Sequence, residues 1–304
     1  MIVAITGGNG FIGKLLVDRL LELGHQVRVL TRNFTTQKKN VQYFQGDLSR
    51  QDNDFSSFLD GVDILFNCAG EINNESLMQE LHVEGTKRLV EAAKGKISRW
   101  VQLSSVGVYG ERLLGEVNEN SREQPCTVYE STKNESDNIV RNSSIPYVIL
   151  QPSNIFGDDM PNQSMRGLVN VIRSGLFFYI GKKNEVKVNY VHVSDVVNAL
   201  IICSSNKNAL GEVFIVSQSL RLESMIISLA SGIGSNNKIF RFPEAIVRVL
   251  VLIFGWIPRF PLTTSRIDAL TGKCVYNSEK IIKILGFSYS MSLEERLRLF
   301  AKQK

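Results

Sequence analysis

Short β-rich apolar runs alternate with apolar stripes at helical spacing through the first half of the chain. Ile2-Val-Ala-Ile-Thr6 is such a run; glycines from Gly7 to Gly13 break it, and Leu15, Leu16, Val17, Leu20 and Leu21 then recur on one helical face until Gly24. Further runs follow at residues 26–30, 41–44, 62–66, 99–103 and 145–150, with helical patterns between them, clearest at 76–94 and 129–142. Strands that alternate with helices can close into a parallel sheet covered on both faces, so the pattern predicts an α/β, doubly wound parallel sheet. After Pro152 the texture changes to glycine-punctuated loops, and residues 188–193 followed by a helical pattern at 195–203 read as a return of the chain to that sheet. The predicted division is a large domain of residues 1–155 joined by about 186–216, with 156–185 and 217–304 forming a smaller, discontinuous C-terminal lobe.

Composition fits this picture. At 304 residues with 43% apolar content the chain can bury a full core, which excludes a disordered or disulfide-stapled protein. Cys68, Cys126, Cys203 and Cys274 are widely spaced without a C-x-x-C pair, so no metal site is expected, and the start lacks a secretion-signal pattern. A reduced, cytoplasmic protein is the expectation. The longest apolar stretch, Val249-Leu-Val-Leu-Ile-Phe254 within 245–257, is interrupted by Arg248 and falls short of the roughly 20 residues that span a bilayer. It reads as a buried or interface helix in preference to a membrane-surface attachment, and no integral membrane segment is expected. The formal charge of +5 is uneven: residues 241–304 hold 11 Lys/Arg against 5 Asp/Glu. No nucleic-acid-binding motif accompanies that charge, so a phosphate-bearing small ligand explains it as well as a solvated basic face does.

The chemistry concentrates in two places. The loop Thr6-Gly7-Gly8-Asn9-Gly10-Phe11-Ile12-Gly13 joins a strand to a helix, where glycines admit positive φ and let the backbone approach a pyrophosphate seated on the helix N-terminus. Thr31-Arg32-Asn33 ends the second strand without the carboxylate expected for NAD, and Arg32 suits a 2′-phosphate, so the cofactor is NAD or NADP with a lean toward NADP. The second place is Tyr129-Glu-Ser-Thr-Lys133, downstream of Ser104-Ser105 at a strand end. Tyrosine and lysine one helical turn apart share a face, so the ammonium can lower the phenol pKa while a serine hydroxyl holds the substrate oxygen. His82, a lone histidine in a helical stretch, reads as structural.

Together the motifs resemble the extended short-chain dehydrogenase/reductases of the NAD-dependent epimerase/dehydratase family, which mostly modify nucleotide-sugars. The resemblance rests on Gly7-x-x-Gly10-x-x-Gly13, Gly46-Asp47-Leu48, Asn67-Cys-Ala-Gly70, Leu103-Ser-Ser-Val-Gly-Val-Tyr-Gly110, Tyr129-x-x-x-Lys133, Gln151-Pro-Ser-Asn-Ile-Phe-Gly157 and Tyr190-Val-His-Val-Ser-Asp195. It implies a Rossmann domain, with Asp47 and Leu48 at the adenine, Ala69 and Gly70 lining the cofactor groove and Pro152 bordering the nicotinamide. It implies Ser105, not Ser104, as catalytic serine with Tyr129 and Lys133, and substrate contacts from Ser105, Val106 and Asn154. The chain departs from the family pattern at His82, Gln151 and Phe156, and the absence of carboxylates in Ser105-Val-Gly-Val-Tyr109 argues against dehydration. The implied function is 4-epimerisation or 4-keto reduction of a nucleotide-sugar, in a possible homodimer. Gly181-Lys-Lys183 and the region from Pro261-Leu-Thr-Thr-Ser-Arg266 to Phe287 are also similar to hydroxysteroid-dehydrogenase-like proteins, which keeps an apolar alcohol as an alternative substrate. A non-catalytic dinucleotide-binding regulator is the remaining alternative.

Overall fold

The computed structural model describes residues 1–34, 38–111, 114–161, 163–254, 256 and 263–303, without the side chains of Ser265, Arg266 and Ala269. Seven parallel strands form the main sheet, numbered in chain order: β1 (Ile2–Thr6), β2 (Gln26–Thr31), β3 (Val41–Gln45), β4 (Ile64–Asn67), β5 (Arg99–Leu103), β6 (Tyr147–Pro152) and β7 (Val213–Val216). Across the sheet they run β7-β6-β5-β4-β1-β2-β3. The winding reverses between β1 and β4, and a doubly wound sheet opens its ligand crevice at the carboxyl ends of the strands flanking such a switch.

Both sheet faces are covered, which is why β4, β5 and β6 are almost continuously buried instead of alternating. On one face Leu16, Val17 and Leu20 of the helix Phe11–Glu22 pack with Val196, Val197 and Leu200 of Val193–Ser205. On the other, Leu89, Val90 and Ala93 of Gly85–Ala93 meet Phe55, Phe58 and Val140. Each such aliphatic side chain stabilises the fold by about 1.5–3 kcal/mol through burial.

A second apolar cluster joins Phe156, Val169 and Ile172 to Leu222, Ile226 and Leu229 and to Leu297 and Phe300 of the last helix, Leu293–Lys302. Its strands correct one expectation. Residues 188–193 do not return to the main sheet: the strand Lys187–His192 pairs with Asn154–Phe156 and Gln218–Arg221 in a separate three-stranded sheet, and β7 is the strand that returns. The apolar run at 188–193 is buried either way, so its hydrophobicity does not distinguish the two partners. A parallel pair, Leu114–Val117 with Lys273–Tyr276, ties the end of the chain to the loop after β5.

Two other elements depart from their patterns. The single helix expected at 76–94 is Glu75–Met78, a π-helical turn Gln79–Glu84, and Gly85–Ala93. At Gly85 a Cβ would stand 2.7 Å from the Leu48 carbonyl oxygen, so the helix lies hard against that loop, and the wider turn before it carries His82 inward. The helix Glu244–Phe254 is not buried as expected: among its residues only Val247 is. Of the apolar stretch 245–257, Gly255 and Ile257 lie outside the described residues, as do Pro261 and Leu262.

Candidate active site

The glycine loop lies at the carboxyl end of β1. Gly7 has a φ of +69°, and its carbonyl accepts from the Gly10 amide at 2.9 Å, closing the turn. A Cβ on Gly13 would stand 2.1 Å from the Gly7 oxygen, so only glycine lets the helix start this close to the strand. Gly10 caps the helix with no side-chain bond to its first amides, which leaves those donors for an anion. The Asn9 side chain donates to Thr31 Oγ1 at 2.9 Å, which pins the loop to the end of β2, where exposed Arg32 follows and no carboxylate stands. This cradle fits a dinucleotide diphosphate. Asp47 accepts from the Ser49 amide at 2.9 Å and its hydroxyl at 2.7 Å, and Ala69 donates to Thr6 Oγ1 at 3.2 Å. Gly70 is exposed and Pro152 is buried at the end of β6. Three residues of the cofactor set point inward: Leu48 is in the core, Ile12 packs on the main cluster, and Phe11 reaches the second cluster beside Gly157.

Ser105, Val106, Tyr129 and Asn154 line one cleft of about 620 Å³ between the sheet and the second cluster. Its wall mixes polar and apolar groups about evenly, and it includes Lys187, Asn189 and Asp268, which the sequence did not single out. Tyr129 opens the helix Val128–Arg141, which Thr127 and Glu130 start with a reciprocal capping box. The structure separates the two serines. Ser104 is buried and donates to Asp137, whereas Ser105 is half-buried and accepts from the Gly107 amide at 3.1 Å. Ser105 also hydrogen-bonds the Tyr129 phenol, drawing its pKa down, but burial outweighs this and holds the phenol above its ordinary value.

Lys133 is buried one turn along, and its ammonium donates to the Leu103 carbonyl at 2.5 Å. Burial lowers its pKa, while Asp137, a further turn on, raises it. The ammonium is thus engaged by the Leu103 carbonyl and feels the charge of Asp137. Asp137 itself is raised by burial to about 6, with Lys133 and Ser104 opposing.

Two features escaped the sequence. A buried chain of hydrogen bonds runs from Thr6 Oγ1 to Asn67 at 2.6 Å, from the Asn67 amide to Gln102 at 3.0 Å, from the Gln102 amide to Ser136 Oγ at 3.0 Å, and on to Thr86 at 2.9 Å. It pegs the Tyr129–Lys133 helix to β1, β4 and β5. Polar residues inside otherwise apolar strands were the available signal. The second is the setting of His82. Its Nε2 accepts from the Glu71 amide at 2.9 Å, so Nδ1 carries the proton toward Thr132 Oγ1 at 2.9 Å, and the ring packs edge-on to Tyr129 with centroids 5.8 Å apart. Burial, followed by the charge of Lys133, pushes its pKa down to about 3, which keeps it neutral.

Residues 3–217 match the model of the NAD dependent epimerase/dehydratase family. The chain is 28% identical to a putative UDP-glucose 4-epimerase of Methanocaldococcus jannaschii, over 68% of this chain and 74% of that protein. It is 25% identical to the decarboxylating sterol-4-alpha-carboxylate 3-dehydrogenase of Mus musculus, over 96% and 87%. Among solved structures, the UDP-glucuronic acid 4-epimerase of Bacillus cereus with UDP-glucuronic acid and NAD superposes with a TM-score of 0.76 at 19% identity, covering 100% of this chain and 99% of that one. The UDP-glucose 4-epimerase of Thermotoga maritima gives 0.74 at 20% identity, covering 99% and 98%.

Proposed function

Because the chain belongs to the NAD dependent epimerase/dehydratase family, and so is an NAD(P)-dependent enzyme of the short-chain dehydrogenase/reductase type, we propose that it oxidises or reduces the C4 position of a nucleotide-sugar. The observation that carries this reading is the cleft in which Ser105, Tyr129 and Asn154 meet Lys187. A sugar diphosphate finds hydroxyl donors and the Lys187 cation there, and leaving a buried charge or donor without a partner costs about 1–3 kcal/mol.

The residues divide the work. Gly7, Gly10 and Gly13 hold the diphosphate of the dinucleotide, and Arg32 the ribose end. The bound dinucleotide supplies hydride exchange at its nicotinamide ring. Ser105 holds the substrate oxygen by its hydroxyl, and the Tyr129 hydroxyl gives or takes the proton on that oxygen. Lys133, one turn along the helix from Tyr129 and bonded to the Leu103 carbonyl, supplies the cation of the site. Exposed Arg32, with no carboxylate at the end of β2, favours a 2′-phosphorylated dinucleotide and so 4-keto reduction over epimerisation. We place the protein in the cytoplasm, in keeping with the absence of disulfides among the described residues.

Tyr129→Phe should abolish turnover of UDP- or dTDP-4-keto sugars, by about 10²-fold or more, while thermal stabilisation by the dinucleotide survives. Surviving turnover would remove Tyr129 from its role. Mass analysis of ligand released from freshly purified protein separates the two reactions: retained NAD indicates an epimerase that never releases its cofactor, and an empty protein preferring NADPH a reductase.

A further inference from the structure

The helix Glu244–Phe254 packs its Val247 and Val251 side on Ile180 and Ile267 and turns a second apolar stripe outward. Ile246, Val249, Leu250 and Ile253 fall at i, i+3, i+4 and i+7, one helical face, and all four are exposed. Leu252 is 86% and Trp256 79% exposed at one end of the helix, and exposed Phe240 and Phe242 stand at the other. A surface helix of a water-soluble domain normally presents its polar side outward; here the polar positions Glu244 and Arg248 are engaged with each other and with Asp268 instead.

The exposed cations near this face are lysines. Lys238 is exposed near Phe240, whereas Arg241 is paired with Glu223 and Arg248 with Glu244 and Asp268. Exposed Lys182 and Lys183 belong to the turn that Arg241 grips through the Gly181 and Lys182 carbonyls, beside the start of the helix. Exposed leucine, isoleucine and tryptophan with lysines at one end are elements of interfacial attachment to an anionic bilayer. A second copy of the chain is a poorer occupant. Eleven residues make a helix about 16 Å long and about 10 Å wide, a footprint of about 160 Å², against the ~800 Å² per partner of a stable interface. Among the described residues no helix is long and apolar enough to cross a membrane, so the contact is one of lying on the surface.

We infer that this face seats the enzyme on the surface of an anionic lipid bilayer, with Ile246, Val249, Leu250, Ile253 and Trp256 entering the headgroup–acyl boundary. The full-length protein should co-sediment with phosphatidylcholine vesicles containing phosphatidylglycerol and much less with phosphatidylcholine alone, and raising the salt to about 0.5 M should weaken binding several-fold. Trp100 is fully buried, so a blue shift of tryptophan emission on vesicle addition reports Trp256. Leu250→Glu with Ile253→Glu should lose vesicle binding about ten-fold or more while melting temperature and stabilisation by the dinucleotide stay unchanged. Lys182→Glu with Lys183→Glu should reduce the preference for phosphatidylglycerol without touching the apolar face. Wild-type protein that stays in the supernatant with phosphatidylglycerol vesicles, or vesicle binding that the Glu pair leaves intact, overturns the inference. So does a wild-type dimer that the Glu pair converts to monomer.

Discussion

Lys133 and Asp137 stand one turn apart on the helix that Tyr129 begins, and both are buried. Asp137 raises the pKa of both Lys133 and Tyr129. Asp137→Asn should therefore move both titrations down, carrying the alkaline limb of the pH–rate profile acidward by about one unit. An unshifted profile would show that the carboxylate has only a packing role. His82 offers a stability test. The folded chain keeps it neutral down to about pH 3, whereas the unfolded chain protonates it near 6.5, so stability is lost as the pH falls through that window, by at most ~1.4 kcal/mol per unit. Asp137 acts oppositely: raised to about 6 from 3.8, it binds a proton first in the folded chain and adds stability as the pH falls through 6. His82→Asn should flatten the acid loss of melting temperature between about pH 4 and 6; superimposable curves would refute the neutral histidine. Spacing singled out Tyr129 and Lys133 as candidates, because an i, i+4 pair is a local fact, whereas choosing Ser105 over Ser104 took the family resemblance. Asp137, Gln102 and Ser136 were not legible, since their importance comes from what lies across the sheet.

At the scale of elements, the strand-turn-helix at Gly7 to Gly13 was read correctly because its glycines answer to backbone distances inside one loop. Gly13→Ala tests this. The added methyl collides with the Gly7 carbonyl, a backbone atom that cannot swing aside, so a loss of about 1–3 kcal/mol in urea denaturation is expected together with loss of dinucleotide stabilisation. Wild-type stability would mean the loop has slack that the geometry denies. The π-helical turn at Gln79–Glu84 was invisible, since it follows from Gly85 pressing against Leu48, a contact between parts of the chain 37 positions apart. The exposure of Glu244–Phe254 was invisible for the converse reason: an apolar stripe states a need for cover without saying what supplies it.

For the whole molecule, strand-helix alternation was enough to predict the parallel sheet, and the switch between β1 and β4 locates the crevice. The pairing of Lys187–His192 was not readable, because two sheets compete for one apolar strand and only packing decides. The pairing of Leu114–Val117 with Lys273–Tyr276 has a consequence in time. Cys274 and Tyr276 form part of the cleft, yet they leave the ribosome about 140 residues after Lys133. A nascent chain thus carries its proposed acid–base helix and all seven strands β1 to β7 well before the receptacle for substrate has its last side. Closing so long a loop is entropically slow, so competence to take substrate is acquired as a late step of biosynthesis.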